Sequence, residues 1–325
     1  MKVLYKILVL FQCLLLTNFA WAEKTADEAA KRMLMAMVEA VKTKTYQGTV
    51  VYLRGKKAQT MRVYHSNIDG LEQERIIALN SPMREVVRSD DKVTCYFPDS
   101  RLVFVDNHPA QRSFLVQLPE NQTQYSQFYN FVFLGNEHVI QKETQIIHII
   151  PKDEFRYARK MWVDVETHLP LKFELIDENG DLVEQMMLTE LQVVESIAPE
   201  MLAASSNIEP SEWTLGDRES VDSENQAWEF QNIPKGFGQV FYKRRMMPTS
   251  TQAVDHILFS DGFSSVSVYI DQKVQDNLDD YRKKMGAINS YSRFLDGYQI
   301  TVLGAVPGKT VQTIGDGINL VGKLD

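Results

Sequence analysis

YQGTVVYLRGKKAQTMRVYHSNIDGLEQERIIALNSPMREVVRSDDKVTCYFPDSRLVFV, residues 46–105, decides the fold. Its apolar residues fall into six short extended runs, Tyr46–Leu53, Gln59–His65, Leu71–Leu79, Met83–Arg88, Lys92–Phe97 and Arg101–Val105. Polar or tight-turn residues separate them, among them Asp69-Gly70, Asn80-Ser81-Pro82 and Ser89-Asp90-Asp91. Evenly spaced strands with turn signals between them read as an antiparallel meander. A large curved sheet of this kind suits a binding shell better than a catalytic scaffold.

Upstream, Lys2 and Lys6 precede the apolar run Ile7–Leu16, and Ala20-Trp21-Ala22 fits small-x-small cleavage. Residues 1–22 therefore read as an export leader, with the mature chain starting at Glu23 and sitting outside the cytoplasm. Loss of the two lysines takes the formal charge from −8 to −10. Such acidity argues against nucleic acid as a partner. After cleavage only Cys95 is left, which excludes an intramolecular disulfide. Thr25 and Glu28 form a capping box, and Ala30, Met33, Met37 and Val41 recur at helical spacing behind it.

Downstream, residues 125–134 hold Tyr125, Phe128, Tyr129, Phe131, Val132 and Phe133, too aromatic for a surface loop. A short helix or inserted loop against the concave sheet face is expected there. Strands follow at His138–Ile150, Phe155–Val165, Leu169–Asp177 and Asp181–Val194, with Asn179-Gly180 as a hairpin turn. Residues 23–200 thus form a first domain of one helix and about ten strands, and 201–225 a linker. A smaller domain, 226–325, has strands at Gly238–Arg245, Ala253–Ser260, Phe263–Ile270 and Tyr298–Val302. An exposed helix is expected around Asp271–Lys284, and a weak one over Thr310–Leu320, interrupted by Gly315 and Gly317.

The motifs of common enzymes are absent. No two histidines share a metal-ligand spacing, and Gly-x-Ser-x-Gly and a phosphate-binding glycine loop are missing. Two basic clusters, Lys243-Arg244-Arg245 and Arg282-Lys283-Lys284, stand out in the second domain and could bind phosphates or an acidic partner segment.

Several stretches resemble one family. They are Gly48–Gly55, Met83–Arg88 with Val93–Arg101, Trp162–Asp164 with Thr167–Lys172, Ile233–Phe237, His256–Gly262 and Asp296–Gly304. Together they are similar to the RseB/MucB family of periplasmic regulators of the envelope-stress sigma factor, in order along the whole mature chain. Ile233 replaces an expected leucine. The resemblance implies an α+β chain: an unclosed antiparallel β-barrel with helices on its concave face, like the carriers LolA and LolB, followed by a smaller α+β domain. It implies binding without catalysis and without a cofactor or metal. The implied partners are the periplasmic region of an RseA/MucA-type anti-sigma factor, lipopolysaccharide or another lipid, and a second copy of the chain. The bound regulator would shield the anti-sigma factor from the DegS-type site-1 protease until lipid releases it. A simpler lipid or lipoprotein carrier is the alternative.

Period-two spacing picks the concave lipid-binding face as Val51 and Leu53, Met61 and Val63, Ile77 and Leu79, then Val93, Cys95 and Phe97. Phe128 and Phe131 are expected to plug it. Phe241, Tyr242, Lys243, Arg244 and Arg245 are the expected partner-binding residues, since Tyr and Arg favour interface anchors.

Overall fold

The computed structural model describes residues 27–80, 84–89, 92–97, 102–106, 115, 122–205, 214–217, 221–222, 227–246, 253–272 and 280–321. The expected leader, its cleavage point and Thr25 lie outside them.

Helix α1 spans residues 27–43. Ala30, Leu34, Met37, Ala40 and Val41 are buried along one stripe, and Met33 and Val38 flank it. Asp27 and Lys31 pair at 2.5 Å one turn apart on the same helix. The methionine-rich face is therefore core, while Met35 points outward.

The first sheet has strands β1 Tyr46–Arg54, β2 Lys57–Ile68, β3 Leu71–Ala78, β4 Glu85–Ser89, β5 Lys92–Phe97, β6 Leu102–Asp106, β7 Tyr129–Val139, β8 Lys142–Pro151, β9 Ala158–Asp164, β10 Pro170–Ile176, β11 Leu182–Val193 and β12 Thr214–Asp217. Their order is β12-β6-β5-β4-β3-β2-β1-β11-β10-β9-β8-β7. Two meanders thus meet where β1 pairs with β11, and the ends β7 and β12 do not join, so the barrel is unclosed. Every pairing is antiparallel except β12 with β6. At the Asn179-Gly180 turn, Asp177 accepts the backbone N–H of Asn179 and of Asp181, each at 3.0 Å, while Gly180 takes φ +86. Asp69 and Gly70 both have positive φ, the requirement of a two-residue hairpin that follows strand twist.

Pairing register corrects the face assignment. Val50 lies opposite Met61, which lies opposite Ala78; Val63 lies opposite Ile76, then Val86, then Cys95. Directly opposed residues share a face. The concave face therefore carries Tyr46, Val50, Tyr52, Met61, Val63 and Ile76, all in one core with α1. Cys95 and, by alternation, Val93 and Phe97 belong to it as expected. Val51, Leu53, Ile77 and Leu79 face the other way. Ile77 packs outside against Tyr64, Ile197 and Leu202, and Leu79 is exposed. Val50-Val51 and Ile76-Ile77 are adjacent apolar pairs, so alternation alone cannot say which member points inward. A tight approach helps to set it: a Cβ on Gly48 would lie 2.5 Å from the Glu190 carbonyl oxygen of β11.

The aromatic segment also differs from expectation. Gln122–Gln127 is a short 3₁₀ turn, and Tyr129 onward is β7. Aromatic and β-branched residues favour a pleated surface. Tyr129 and Phe131 enter the core, whereas Val132 and Leu134 are exposed.

The second sheet comprises β13 Val221–Asp222, β15 Gly238–Met246, β16 Ala253–Ser260, β17 Ser265–Gln272, β18 Tyr281–Met285, β19 Ile288–Leu295 and β20 Tyr298–Gly304, ordered β13-β15-β16-β17-β20-β19-β18. A separate pair joins β14 Trp228–Phe230 to β21 Ile318–Leu320. The expected linker thus supplies a short strand to each of the two large sheets, after helix α2 Pro199–Leu202. Arg282, Lys283 and Lys284 lie on β18, not on a helix, because pairing with β19 decides their conformation. Helix α3, Gly308–Asp316, buries Val311 and Ile314 beneath the sheet. Gly315 had looked like a helix breaker. It is a contact residue: a Cβ there would meet the Tyr291 ring at 2.6 Å.

Candidate functional site: an apolar trough capped by the second domain

The concave face of the first domain does not fill itself. A cavity of about 630 Å³ remains, walled by Met61, Met161, Phe173, Leu175 and Met186, with Leu115 beside them. Its mouth carries charge. Arg54 bonds Glu184 at 2.8 Å and the Tyr52 hydroxyl at 3.1 Å, and Arg84 and Arg159 also line the space. Burial, with Glu184 nearby, pushes the Tyr52 hydroxyl well above its ordinary range, so it stays protonated. Apolar walls with three arginines and one glutamate among the lining residues suit an amphiphile that has an anionic head.

One end of the trough is capped from the second domain. The turn between β16 and β17 pushes Phe263 into the first domain's core, where only 7% of it is exposed. Its ring meets Tyr125 edge-on at 5.0 Å and Tyr129 at 4.8 Å. Asp261 shapes the turn by accepting the N–H groups of Phe263 at 2.9 Å and Ser264 at 2.7 Å. Its other oxygen accepts from Arg156 Nε and the Tyr129 hydroxyl, both at 2.6 Å. Burial and Asp261 together push the Tyr129 hydroxyl far above its usual range. Arg159 donates to the Phe263 carbonyl at 2.6 Å and to Ser264 Oγ at 2.9 Å.

Arg156 is the hub. Its guanidinium lies between the rings of Phe128 and Phe237, 4.7 and 4.8 Å from their centroids, and also bonds Asp153 and the Lys235 carbonyl. Gly236, at φ +90, lets that carbonyl approach; a Cβ would sit 2.5 Å from Phe128. Farther along, Asn289 donates to the Tyr157 hydroxyl and Thr310 to the Phe155 carbonyl, each at 2.8 Å.

Of the expected trough residues, Met61 is at the cavity wall and Val63 in the adjoining core. Phe131 touches the Phe263 ring at 6.2 Å, and Phe128 lies under Arg156, so both belong to the capped end. The expected partner residues do not form one surface. Tyr242 is a core residue, its hydroxyl raised by burial and by Asp255. Phe241 stands edge-on to His256 at 5.0 Å on the opposite face, with Lys243 over its ring. Arg244 is exposed, 3.8 Å from Asp255, and the side chain of Arg245 lies outside the described residues. Arg156, Arg159, Asp261 and Phe263 were not singled out from the sequence. Asp261 falls near the end of His256–Gly262, one of the stretches that carried the resemblance.

Fold and site define a two-domain binding protein: an unclosed barrel whose trough is capped by a second sheet domain. The chain belongs to the MucB/RseB family. The MucB/RseB N-terminal domain matches residues 29–206, and the MucB/RseB C-terminal domain residues 222–319. The sigma-E factor regulatory protein RseB of Salmonella typhimurium is 26% identical, over 92% of this chain and 93% of its own. The sigma factor AlgU regulatory protein MucB of Pseudomonas aeruginosa is also 26% identical, over 93% and 94%. The solved MucA/MucB complex of Pseudomonas aeruginosa superposes with a TM-score of 0.74 at 25% identity, covering 91% of this chain and all of that one. A second structure, MucB with MucA(peri), gives 0.72 at 24% identity over 90% of this chain.

Proposed function

We propose that this chain is a periplasmic regulator. It binds the periplasmic region of a MucA/RseA-type anti-sigma factor, shields it from site-1 proteolysis, and lets go when a lipid enters the trough. Binding of this partner type is supported by the two family domains spanning the chain and by the likeness to MucB solved with MucA. The lipid step rests on one observation: Phe263 of the second domain borders the same cavity that an acyl chain would fill.

The energetics are sufficient. Each methylene withdrawn from water contributes about 0.8 kcal/mol. A few of them match the burial of a phenylalanine ring, about 2 kcal/mol, so a guest can compete with Phe263 for the trough. Lipid then shifts the protein between two domain arrangements only through unequal affinity for them. Arg54 and Arg84 at the mouth offer charge to a phosphate or carboxylate head.

The carrier reading shares the trough but gives no role to a second domain locked on by the buried Arg156–Asp261 pair. The test is a calorimetric titration of the anti-sigma periplasmic region into the chain, with and without short-chain lipopolysaccharide. Weaker binding in lipid is the expected result. Tight lipid binding with no affinity for the anti-sigma region would favour the carrier.

A further inference from the structure

Among the described residues, β18 ends the second sheet and nothing pairs with its outer side. All five of its residues, Tyr281, Arg282, Lys283, Lys284 and Met285, are exposed. In the first sheet, the Phe131 N–H of the end strand β7 is taken by Asp27 of α1 at 3.1 Å, and the opposite end of the second sheet is the two-residue β13, paired with Lys243 and Arg244 of β15. The β18–β19 hairpin turns on Gly286 and Ala287, with Gly286 at φ +63 and Met285 opposite Ile288. In a two-residue hairpin the flanking pair exchanges both bonds. Alternation then directs the N–H and C=O of Lys284 and Arg282 away from β19.

We propose that β18 is a strand-addition site for an extended, acidic polypeptide segment. The proposal rests on the reading above that the chain binds a polypeptide, and it assigns where a stretch of that partner pairs. Three consecutive cations mark this edge in a chain of net charge −8, so an acidic strand finds complementary charge here and repulsion over most of the surface. A second copy of the chain is disfavoured: antiparallel self-pairing would set Arg282, Lys283 and Lys284 against themselves, and like charges directly opposite destabilise a sheet. Lysines also guard edges against pairing. A purely guarded edge gains nothing from Tyr281 and Met285, which are 38% and 64% exposed and offer apolar contacts at both ends of the strand. Main-chain bonds would supply affinity and these alternate side chains the selectivity.

The edge also abuts the trough. A Cβ on Gly286 would lie 2.6 Å from Arg54 Cγ, and Arg54 lines the cavity mouth. Lys284 reaches Asp177 of the first domain at 3.4 Å. A strand added to β18 therefore ends beside the lipid entrance.

The test uses the full mature chain and three fluorescent probes: a peptide alternating glutamate and valine, one alternating lysine and valine, and the anti-sigma periplasmic region. The acidic peptide should bind in anisotropy titrations, weakening as salt rises, and should slow amide exchange at Arg282 and Lys284 by about tenfold or more. Reversal of all three cations (Arg282→Glu, Lys283→Glu, Lys284→Glu) should switch preference to the basic peptide and weaken the anti-sigma region by about tenfold. Protection elsewhere, or affinity indifferent to reversal, overturns the assignment. If the anti-sigma region binds both proteins equally without protecting β18, the edge proposal fails and the wider function stands. If it binds neither protein, the wider function fails, and the edge proposal with it.

Discussion

Arg156 Nε and Asp261 Oδ2 meet at 2.6 Å across the junction of the two domains, with both side chains withdrawn from solvent. The pair lies 105 residues apart in sequence and is completed by the Tyr129 hydroxyl. Removing one member of a buried pair strands the other charge, at a cost of about 3–5 kcal/mol. Asp261→Ala should therefore lower the urea midpoint markedly. It should also enlarge the radius of gyration in solution scattering, since the lost contact joins two domains. Replacing both residues together (Arg156→Met with Asp261→Leu) should recover part of that loss, because neither charge is then buried alone, while the Phe263 and Ser264 N–H groups and the Tyr129 hydroxyl still lack their acceptor.

Phe263 offers a sharper test of competition for the trough. Phe263→Ala removes a ring whose burial contributes about 2 kcal/mol, so an incoming chain no longer has to displace it. Affinity for a fluorescent fatty-acid analogue should rise by about tenfold or more. An unchanged or weaker affinity would show that ring and guest do not share the space.

The two faces of the first sheet make opposite predictions. Met61 is buried at the cavity wall, while Leu79 is 55% exposed on the outer face. Met61→Glu places an unpaired carboxylate against Met161 and Met186 and should abolish uptake of the same analogue. Leu79→Glu should leave uptake and the thermal midpoint nearly unchanged, as surface substitutions usually do. Equal effects from both would contradict the register.

How much of this was legible depended on whether the signal was local. Turns such as Asp69-Gly70 and Asn179-Gly180 carry their geometry in the side chains, and the helical stripe from Ala30 to Val41 has a period of its own. The unclosed barrel was expected for these reasons and from the family resemblance. Val50-Val51 and Ile76-Ile77 were ambiguous because both neighbours are apolar, and only cross-strand register separates them. β18 was misread because Arg282, Lys283 and Lys284 suit an exposed helix as well as an edge strand. The junction was least legible of all. Arg156, Asp261 and Phe263 are far apart in sequence, and their meeting is a property of the assembled domains.

Asp255 makes the second domain's stability depend on pH. It sits in β16 with only 7% of its surface exposed, accepting from Trp228 Nε1 at 3.3 Å, and Arg244 is 3.8 Å from its other oxygen. Burial raises its carboxyl above the usual carboxylate range, and bonds from Tyr242 and Trp228 with the Arg244 charge only partly offset this. The folded chain thus holds the proton more tightly than the unfolded one. That contribution is fully present below the ordinary aspartate value near 3.9 and is lost as pH rises through the higher folded-state value. At neutral pH the folded domain carries a buried, incompletely paired carboxylate. Asp255→Asn keeps the shape and removes the charge. Chemical denaturation of this variant should show a stability equal to or above that of the parent at pH 7. The difference should shrink or reverse as pH falls toward 4. A variant whose deficit is larger at pH 7 than at pH 4 would mean that the ionised carboxylate stabilises the second domain instead.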